Sequence, residues 1–458
     1  MFCDHFRVPY RVAEFDVPSG CGALLVQSGR RLLWWRADEN GRAREHRIDE
    51  LRLFADVLDD DLAGRLLGRE WRQAIPVRRA DGSPAGSVWR CEDGSLFLPF
   101  DPDAAIIACW SEAYAAELAS AGRRGLRRAA VRGYYGVRPV LPRSVQIALR
   151  RRFARIQART PFPRWPAEAA LDDLLQFLLQ CLADAAGEPV PWIQPWPDDR
   201  TWAFVLTHDV ETAVGYHALD RLRDVERAVG YRSSWNFVPR RYDVDDARVR
   251  ELWGDGFEVG VHGLYHDGRD LESLRTLQQR LPEIRSYAKR WSSVGFRSPA
   301  THRRWEWMPM LGFEYDTSYP DTDPFEPQAG GCCSLLPFFN DDLVELPITL
   351  AQDHTIFVIL RDPDERRWLE KTRFLRERGG MALLNTHPDY MLEPVSLELY
   401  ERFLRAFVDD ASMWHALPRE VSAWWRDRSA TTPVRCADEW TLEGKAAERA
   451  RLTYARPA

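Results

Sequence analysis

Lysine and long apolar runs are what this sequence lacks most. Only Lys289, Lys371 and Lys445 are lysines among 63 basic residues, a bias that reflects a GC-rich genome and not a function. No stretch approaches the ~20 apolar residues of a membrane span, and the start MFCDHFRVPY lacks the apolar core of a signal peptide. We therefore expect a cytoplasmic protein.

Cysteines do not form a ligand pattern either. The eight cysteines are scattered without metal-ligand spacing, and the adjacent Cys332 and Cys333 are poorly placed to bridge each other. Histidine is distributed differently, because seven of the ten histidines lie between His208 and His387. The chemistry should be sought in that interval.

The length of 458 residues implies two or three domains. Residues 1–117 alternate short apolar runs with turn-rich segments such as EDGS, as in a small α+β domain. Residues 118–197 are expected to form a helical linker that ends in the proline-rich GEPVPWIQPWPDDR. We assign residues 198–428 to the main domain and 429–458 to a C-terminal tail.

Strand-like and helical patterns alternate through the main domain. The predicted strands cover 202–208, 233–237, 257–261, 294–296, 344–346 and 382–385, and the predicted helices cover 216–229, 271–290 and 364–378. This alternation favours a parallel sheet with outer helices, closed or nearly closed as a barrel. Active sites in such barrels lie at the carboxyl ends of the strands.

Residues 118–167 contain thirteen arginines and neither Asp nor Glu. Within them, Val145, Leu149, Phe153 and Ile156 recur at helical spacing, which indicates a linker helix with a solvated face. The alternative is a surface helix that contacts a phosphorylated substrate or anionic lipid at the inner face of a membrane. Nucleic acid is not expected as a partner, because no aromatic stacking platform accompanies the charge.

Apolar runs of the main domain repeatedly end on residues that bind metals or carry protons. These residues are Asp209, Glu211, His262, His266, Arg297 and His387. Two imidazoles and a carboxylate can hold zinc or another divalent metal, so we predict that His262, His266 and Glu211 are ligands. Gly263 favours an exit from a strand into a loop for this histidine pair.

The remaining three residues supply acid–base chemistry. Asp209 is the candidate base toward a metal-bound water, Arg297 would keep it ionised, and His387 could protonate a leaving amine. Together these are the parts of metal-assisted amide or ester hydrolysis. We assign structural or loop positions to the other histidines of the interval, His208, His217, His302 and His354.

In this order the motifs resemble those of the polysaccharide deacetylases of the NodB-homology group, carbohydrate esterase family 4. The resemblance spans residues 200–420 or so. THDVE resembles the first motif, and the resemblance implies that Asp209 is the base. Val210 replaces the usual metal-binding aspartate, which indicates that Glu211 is the ligand. The second motif, H-x-x-x-H, assigns His262 and His266 to the metal.

The other three motifs extend the resemblance. R-x-P matches Arg297 and Pro299; in the family the arginine orients the base and the backbone that follows helps to hold the oxyanion. L-x-x-H assigns His387 as general acid. The fourth motif supplies an aspartate that tunes this histidine, and its candidates are Asp316, Asp321 and Asp323.

The resemblance implies a distorted (β/α) barrel of about seven parallel strands and a divalent metal, with zinc expected and cobalt, nickel, iron or manganese as alternatives. It implies removal of an N-acetyl or related acyl group from a sugar, in this case a surface-polysaccharide precursor. One alternative is hydrolysis of a small non-sugar amide or cyclic ureide at the same site. Another is a catalytically silent carbohydrate-binding or scaffolding protein, which Val210 supports.

Overall fold

The computed structural model describes residues 2–12, 17–26, 29–36, 43–118, 160–437 and 439–458. The arginine-rich helix predicted from Val145 to Arg159 lies outside these residues. The chain divides into two compact units, the first from Met1–Gly136, Ala169–Gln194 and Asp427–Ala458 and the second from Val137–Glu168 and Pro195–Arg426. In the described part of the chain, no helix is both long enough and apolar enough to cross a membrane.

Both units contain strands and helices, and those of the described residues are the following. The strands are β1 Arg11–Val12, β2 Cys21–Leu25, β3 Arg31–Trp35, β4 Arg44–Ile48, β5 Leu51–Ala55, β6 Trp71–Arg79, β7 Pro84–Cys91, β8 Leu96–Leu98, β9 Val190–Ile193, β10 Trp202–Val210, β11 Ser234–Phe237, β12 Glu258–Val261, β13 Gly295–Phe296, β14 Tyr315–Asp316, β15 Phe338–Asn340, β16 Leu343–Glu345, β17 Met381–Thr386, β18 Met413–His415, β19 Thr431–Cys436, β20 Glu439–Gly444 and β21 Leu452–Ala455. The α-helices are α1 Phe2–Phe6, α2 Asp60–Leu67, α3 Pro102–Trp110, α4 Tyr114–Leu118, α5 Ala170–Ala186, α6 Ala213–Val229, α7 Asp246–Gly254, α8 Leu274–Trp291, α9 Arg366–Glu377, α10 Pro394–Arg405 and α11 Pro418–Ser429. A π-helix spans His354–Leu360, and short 3-10 turns span Pro299–Thr301, Pro309–Leu311 and Pro388–Tyr390.

The first unit contains an eight-stranded sheet in the order β1-β2-β3-β8-β7-β6-β4-β5. Only the β3–β8 pair is parallel in this ladder. Helix α5 packs on β3 and β5 with leucines that recur at helical spacing, among them Leu171, Leu175, Leu178 and Leu182. It ends at Gly187, whose φ of 68° is the left-handed conformation that closes many helices.

Two segments differ from the predicted domain boundaries. Helix α5 and strand β9, placed in the linker by the sequence analysis, belong to the first unit. The predicted C-terminal tail forms the β19–β20 hairpin, and its last strand, β21, pairs with β9. The tail is therefore part of a fold, because pairing between strands distant in sequence leaves no signal in the local pattern.

The second unit is built on a nine-stranded sheet with the order β15-β16-β14-β13-β12-β11-β10-β17, in which β18 also pairs with β10. Every pair except β15–β16 is parallel. All nine residues of β10 are buried, as expected for a central strand covered on both faces. The unit is thus a mixed α/β fold.

The sheet is curled but its ladder is open. Strands β16 and β17 stand near opposite ends of the ladder, yet the N–H groups of Thr349 and Leu350, shortly after β16, donate to the carbonyl of Leu383 in β17 at 3.2 and 3.1 Å. A sheet whose ends meet in this way is strongly curved. Among the described residues, the predicted distorted barrel of about seven parallel strands, closed or nearly closed, corresponds to a curled, open sheet bridged by an irregular segment.

Candidate metal centre and acid–base site

Side chains of β10 alternate between the two faces of the sheet. Thr207 accepts a hydrogen bond from Arg297 at 2.9 Å. Asp209 accepts hydrogen bonds from Asn236 and Asn385 at 2.9 and 2.8 Å. His208, between them, faces the helices instead, where its Nε2 lies 2.7 Å from Glu226 of α6. The strand therefore delivers Asp209 to the inner side of the curled sheet.

Glu211, His262 and His266 meet at the carboxyl ends of β10 and β12. One ligand atom from each lies within 4.8 Å of the others, and Nε2 of His266 lies 2.9 Å from Oε1 of Glu211. The two imidazole rings are 5.0 Å apart. The structure thus brings together the three residues predicted as metal ligands.

The loop after β12 sets the position of His266. Gly263 has a φ of 62°, and a Cβ added there would lie 2.4 Å from the Asp270 carboxylate. His266 itself has a φ of 55°, which residues other than glycine rarely adopt. The histidine pair therefore leaves a strand into a loop, as Gly263 indicated, and does not lie on a helix.

The nitrogen atoms of the pair suit a cation. Within the described residues, Nε2 of His262 is buried without a hydrogen-bond partner, which costs free energy unless a ligand binds there. Nε2 of His266 is also buried, and its 2.9 Å contact with Glu211 does not have hydrogen-bond geometry. Nδ1 of His262 lies 3.1 Å from the Arg297 carbonyl oxygen, and a proton on Nδ1 leaves the Nε2 lone pair free. Burial lowers the pKa of His262 to about 4, so its ring is neutral, the form that binds metals.

Glu211 completes this donor set as an anion. Burial raises the pKa of its carboxyl group, but contacts with His266 and the nearby His387 outweigh burial and hold the pKa below its ordinary range. One carboxylate and two imidazoles at this separation fit a divalent cation with open coordination positions.

Asp209 is held differently from Glu211. Each of its oxygens already accepts an amide N–H, from Asn236 and Asn385. Burial raises its pKa, but the positive charge of Arg297, 3.6 Å away, and the neighbouring imidazoles lower it to about 2. Asp209 is therefore ionised at neutral pH and has two fixed donors of its own.

Arg297 is completely buried beneath this carboxylate. Its Nε donates to Thr317 at 2.7 Å and its Nη2 donates to Thr207 at 2.9 Å, which fixes the plane of the guanidinium group. The positive charge of Arg297 therefore lies beside Asp209, as predicted from the sequence.

His387 follows β17 and is paired with Asp353. The Asp353 carboxylate accepts from the His387 backbone N–H at 2.7 Å and from Nδ1 at 2.6 Å. Burial lowers the pKa of His387, but the charge and hydrogen bond of Asp353 raise it more, to about 10. Its protonated Nε2 then faces Asp209 and Glu211 at 3.9 and 3.8 Å.

Asp353 replaces the three aspartates proposed from the fourth motif. Asp353 could not be recognised from the sequence, because the preceding ITLAQ contains the polar residues Thr349 and Gln352 and is not an apolar run. Asp316, Asp321 and Asp323 are buried in other contacts. After β16 the chain runs beside β17, the strand that His387 follows. The carboxylate that contacts His387 therefore comes from this segment, which is later in the chain than the fourth motif.

The partners of these three aspartates are local or lie across the sheet. Asp316 accepts from the backbone and side chain of Ser318 at 2.7 Å each, and it stands opposite Glu345 in the ladder. Asp321 pairs with Lys371 at 2.5 Å, and burial raises its pKa to about 6.

Asp323 accepts from the Phe325 N–H at 2.7 Å, and burial raises its pKa to about 7. Each of the three candidates is therefore engaged in a contact of its own.

Pro299 lies against the histidine loop. A Cβ added at Gly263 would be 2.6 Å from the Pro299 ring. The preceding N–H, that of Ser298, donates to the Ser318 hydroxyl at 2.8 Å, and Pro299 has no N–H. Neither of these two residues therefore offers a backbone donor for an oxyanion, and a contribution from the backbone that follows them stays a prediction.

No protein-family model matches the chain, and no curated protein matches it. The structure is similar to solved structures of polysaccharide deacetylases and of carbohydrate esterase family 4. A putative polysaccharide deacetylase from Mycobacterium smegmatis is 19% identical with a TM-score of 0.44, over 53% of this chain and 96% of that one.

Two further structures match to a similar degree. Puue allantoinase is 16% identical with a TM-score of 0.42, over 51% of this chain and 93% of that one. A probable polysaccharide deacetylase from Pseudomonas aeruginosa PAO1 is 16% identical with a TM-score of 0.43, over 51% of this chain and 94% of that one.

Proposed function

We propose that the chain is a metal-dependent hydrolase that removes an N-acetyl or related acyl group from a sugar. The proposal is supported above all by one observation: the carboxylate of Asp209 and the imidazolium of His387 stand 3.9 Å apart beside the Glu211, His262 and His266 cluster. A buried acid and base held in opposite protonation states next to a cation site are the parts of amide hydrolysis. The five motifs add the sugar as the expected substrate.

Glu211, His262 and His266 would hold the cation. When bound, a divalent cation supplies Lewis-acid polarisation of the scissile carbonyl and activation of a water molecule. Two imidazoles and one carboxylate suit zinc best, with cobalt, nickel, iron and manganese as alternatives.

The chain's own side chains move the protons. Asp209 accepts a proton from the attacking water while the water oxygen bonds to the acyl carbon, and Arg297 keeps Asp209 ionised beforehand. His387 gives its Nε2 proton to the amide nitrogen as the carbon–nitrogen bond breaks, so the products are an amine and a carboxylic acid. Asp353 holds Nδ1 and stabilises the imidazolium in the waiting state.

Metal dependence and substrate class are tested together. Protein stripped with a chelator and reloaded with zinc, cobalt, nickel or manganese should bind about one ion per chain, as one three-ligand site predicts. Reloading should restore acetate release from nucleotide sugars, lipid-linked sugars or short glycans. An N-acetylated non-sugar amide is assayed in parallel by acetate release, and a cyclic ureide is assayed by ring opening.

Each outcome of this screen decides between functions. Turnover of sugars that is lost in Asp209→Asn supports the deacetylase. Turnover restricted to the small amide or the ureide would replace the sugar by that substrate class. Bound metal without turnover of any substrate would favour a catalytically silent carbohydrate-binding or scaffolding protein.

A further inference from the structure

Glu211 is the first residue beyond the end of β10. The last ladder pair joins Val210 to Phe237, so strand pairing does not fix the backbone that carries Glu211. A ligand at such a position binds a cation in a defined direction only if other contacts hold its backbone.

The peptide group between Val210 and Glu211 is held at both ends. Its carbonyl oxygen accepts from the Tyr242 hydroxyl at 2.5 Å, and its N–H donates to Oδ2 of Asp389 at 3.3 Å. Tyr242 lies beyond β11, and Asp389 lies two residues after His387. Two separate loops therefore fix one peptide plane.

Asp389 also contacts the start of the following helix. Its Oδ1 accepts from the Thr212 hydroxyl, and Thr212 caps α6 by accepting from the N–H of Gly215 at 3.3 Å. A Cβ added at Gly215 would lie 2.2 Å from Oδ2 of Asp389. The carboxylate is thus packed directly against the first turn of α6, which limits its movement.

We propose that Tyr242 and Asp389 are positioning residues that fix the Val210–Glu211 peptide group and so set the direction from which Glu211 reaches the cation. The inference rests on the metal site of the proposed function. Through Asp389, the turn that carries Glu211 is linked to the loop that carries His387. Neither Tyr242 nor Asp389 belongs to the ligand set.

The test measures metal binding and needs no substrate. Four full-length proteins are stripped with a chelator and titrated with zinc against a chromophoric chelator: the unaltered protein, Tyr242→Phe, Asp389→Ala and Asp389→Asn. The visible absorption of each protein loaded with cobalt is also recorded. Loss of a hydrogen bond behind a ligand weakens metal affinity by about 10–100-fold. We expect that loss in Asp389→Ala, a smaller one in Tyr242→Phe and partial recovery in Asp389→Asn, with altered cobalt absorption.

Tyr216→Phe is the matched control. The Tyr216 ring lies 5.6 Å from that of Tyr242, but its hydroxyl accepts from the Asp245 N–H and does not touch the Val210–Glu211 peptide. This variant should therefore bind zinc and cobalt like the unaltered protein. An equal loss of affinity in Tyr216→Phe and Tyr242→Phe would overturn the inference, because it would reflect general loosening.

The remaining outcomes separate this inference from the proposed function. If the unaltered protein binds metal and the variants match it in affinity and cobalt spectrum, the positioning role is overturned and the metal site stands. Unaltered protein that binds no divalent cation overturns both. If Asp389→Ala does not fold, Tyr242→Phe, which removes a single hydroxyl group, decides the question alone.

Discussion

Replacement of Asp353 by asparagine should separate proton delivery from metal binding. The substitution keeps the shape of the side chain and one acceptor oxygen but removes the charge beside Nδ1 of His387. The pKa of His387 is raised from 6.5 to about 10 although burial lowers it, a difference on the order of 5 kcal/mol in favour of the protonated ring. Asp353 is the largest source of that preference.

The expected effect follows from this difference. In Asp353→Asn, burial opposes the charged ring and only the more distant Asp209 and Glu211 carboxylates favour it. A return of the pKa to its ordinary value would leave about 3% of His387 protonated at pH 8, so turnover there should fall about 30-fold. Turnover should recover as the pH is lowered.

Nuclear magnetic resonance of ¹⁵N-histidine-labelled, metal-free protein measures this pKa without a substrate. The His387 signal, assigned with His387→Gln, should stay protonated through pH 8 in the unaltered protein and titrate near neutrality in Asp353→Asn. Stability offers a second readout, since a raised pKa stabilises the fold fully below pH 6.5 and this contribution is lost as the pH rises through about 10. Identical titration of the two proteins would refute the pairing argument.

Two further predictions concern the ligand set and the buried strand β12. Asp209→Asn should lower turnover by about 10²–10⁴-fold and keep its metal, whereas His262→Ala should lose metal and turnover together. If metal analysis finds Asp209→Asn depleted of metal, the roles assigned to the base and to a metal ligand have been interchanged. Burial raises the pKa of Glu258 from 4.5 to about 7, so the free energy of unfolding should fall as the pH rises across that range. Glu258→Gln should flatten this fall, and urea denaturation at pH 5 and pH 8 that shows the same fall in both proteins would contradict the assignment.

Long elements of the second unit follow closely from local pattern. The apolar run predicted as a strand at 202–208 is the strand Trp202–Val210, and the helix predicted at 271–290 is Leu274–Trp291, which starts after the capping residue Ser273. The two-residue strand Tyr315–Asp316 and the C-terminal strands could not be predicted in this way, because they exist through pairing with distant strands.

The candidate site shows the same division. Residues that end an apolar run, such as Asp209 and His387, were found because parallel strands bring their carboxyl ends to one edge of a sheet. The partner of His387 was not found, since Asp353 lies 34 residues before it and reaches it only through the segment that bridges the curled sheet. Hydrogen bonds of this kind depend on tertiary geometry, which spacing along the chain does not encode.

Val210 stands where the first motif usually has a metal-binding aspartate, and its position in β10 explains why the candidate ligand is a different residue. By strand alternation, Asp209 and Glu211 share one side and Val210 lies on the other, where it is fully buried. A carboxylate in its place would be costly to bury without a partner. With valine at position 210, the candidate ligand is the next residue, Glu211, which lies beyond the end of β10. The hydrogen bonds from Tyr242 and to Asp389 then fix its backbone in place of strand pairing. The three-residue donor set of Glu211, His262 and His266 therefore stays complete with valine at position 210.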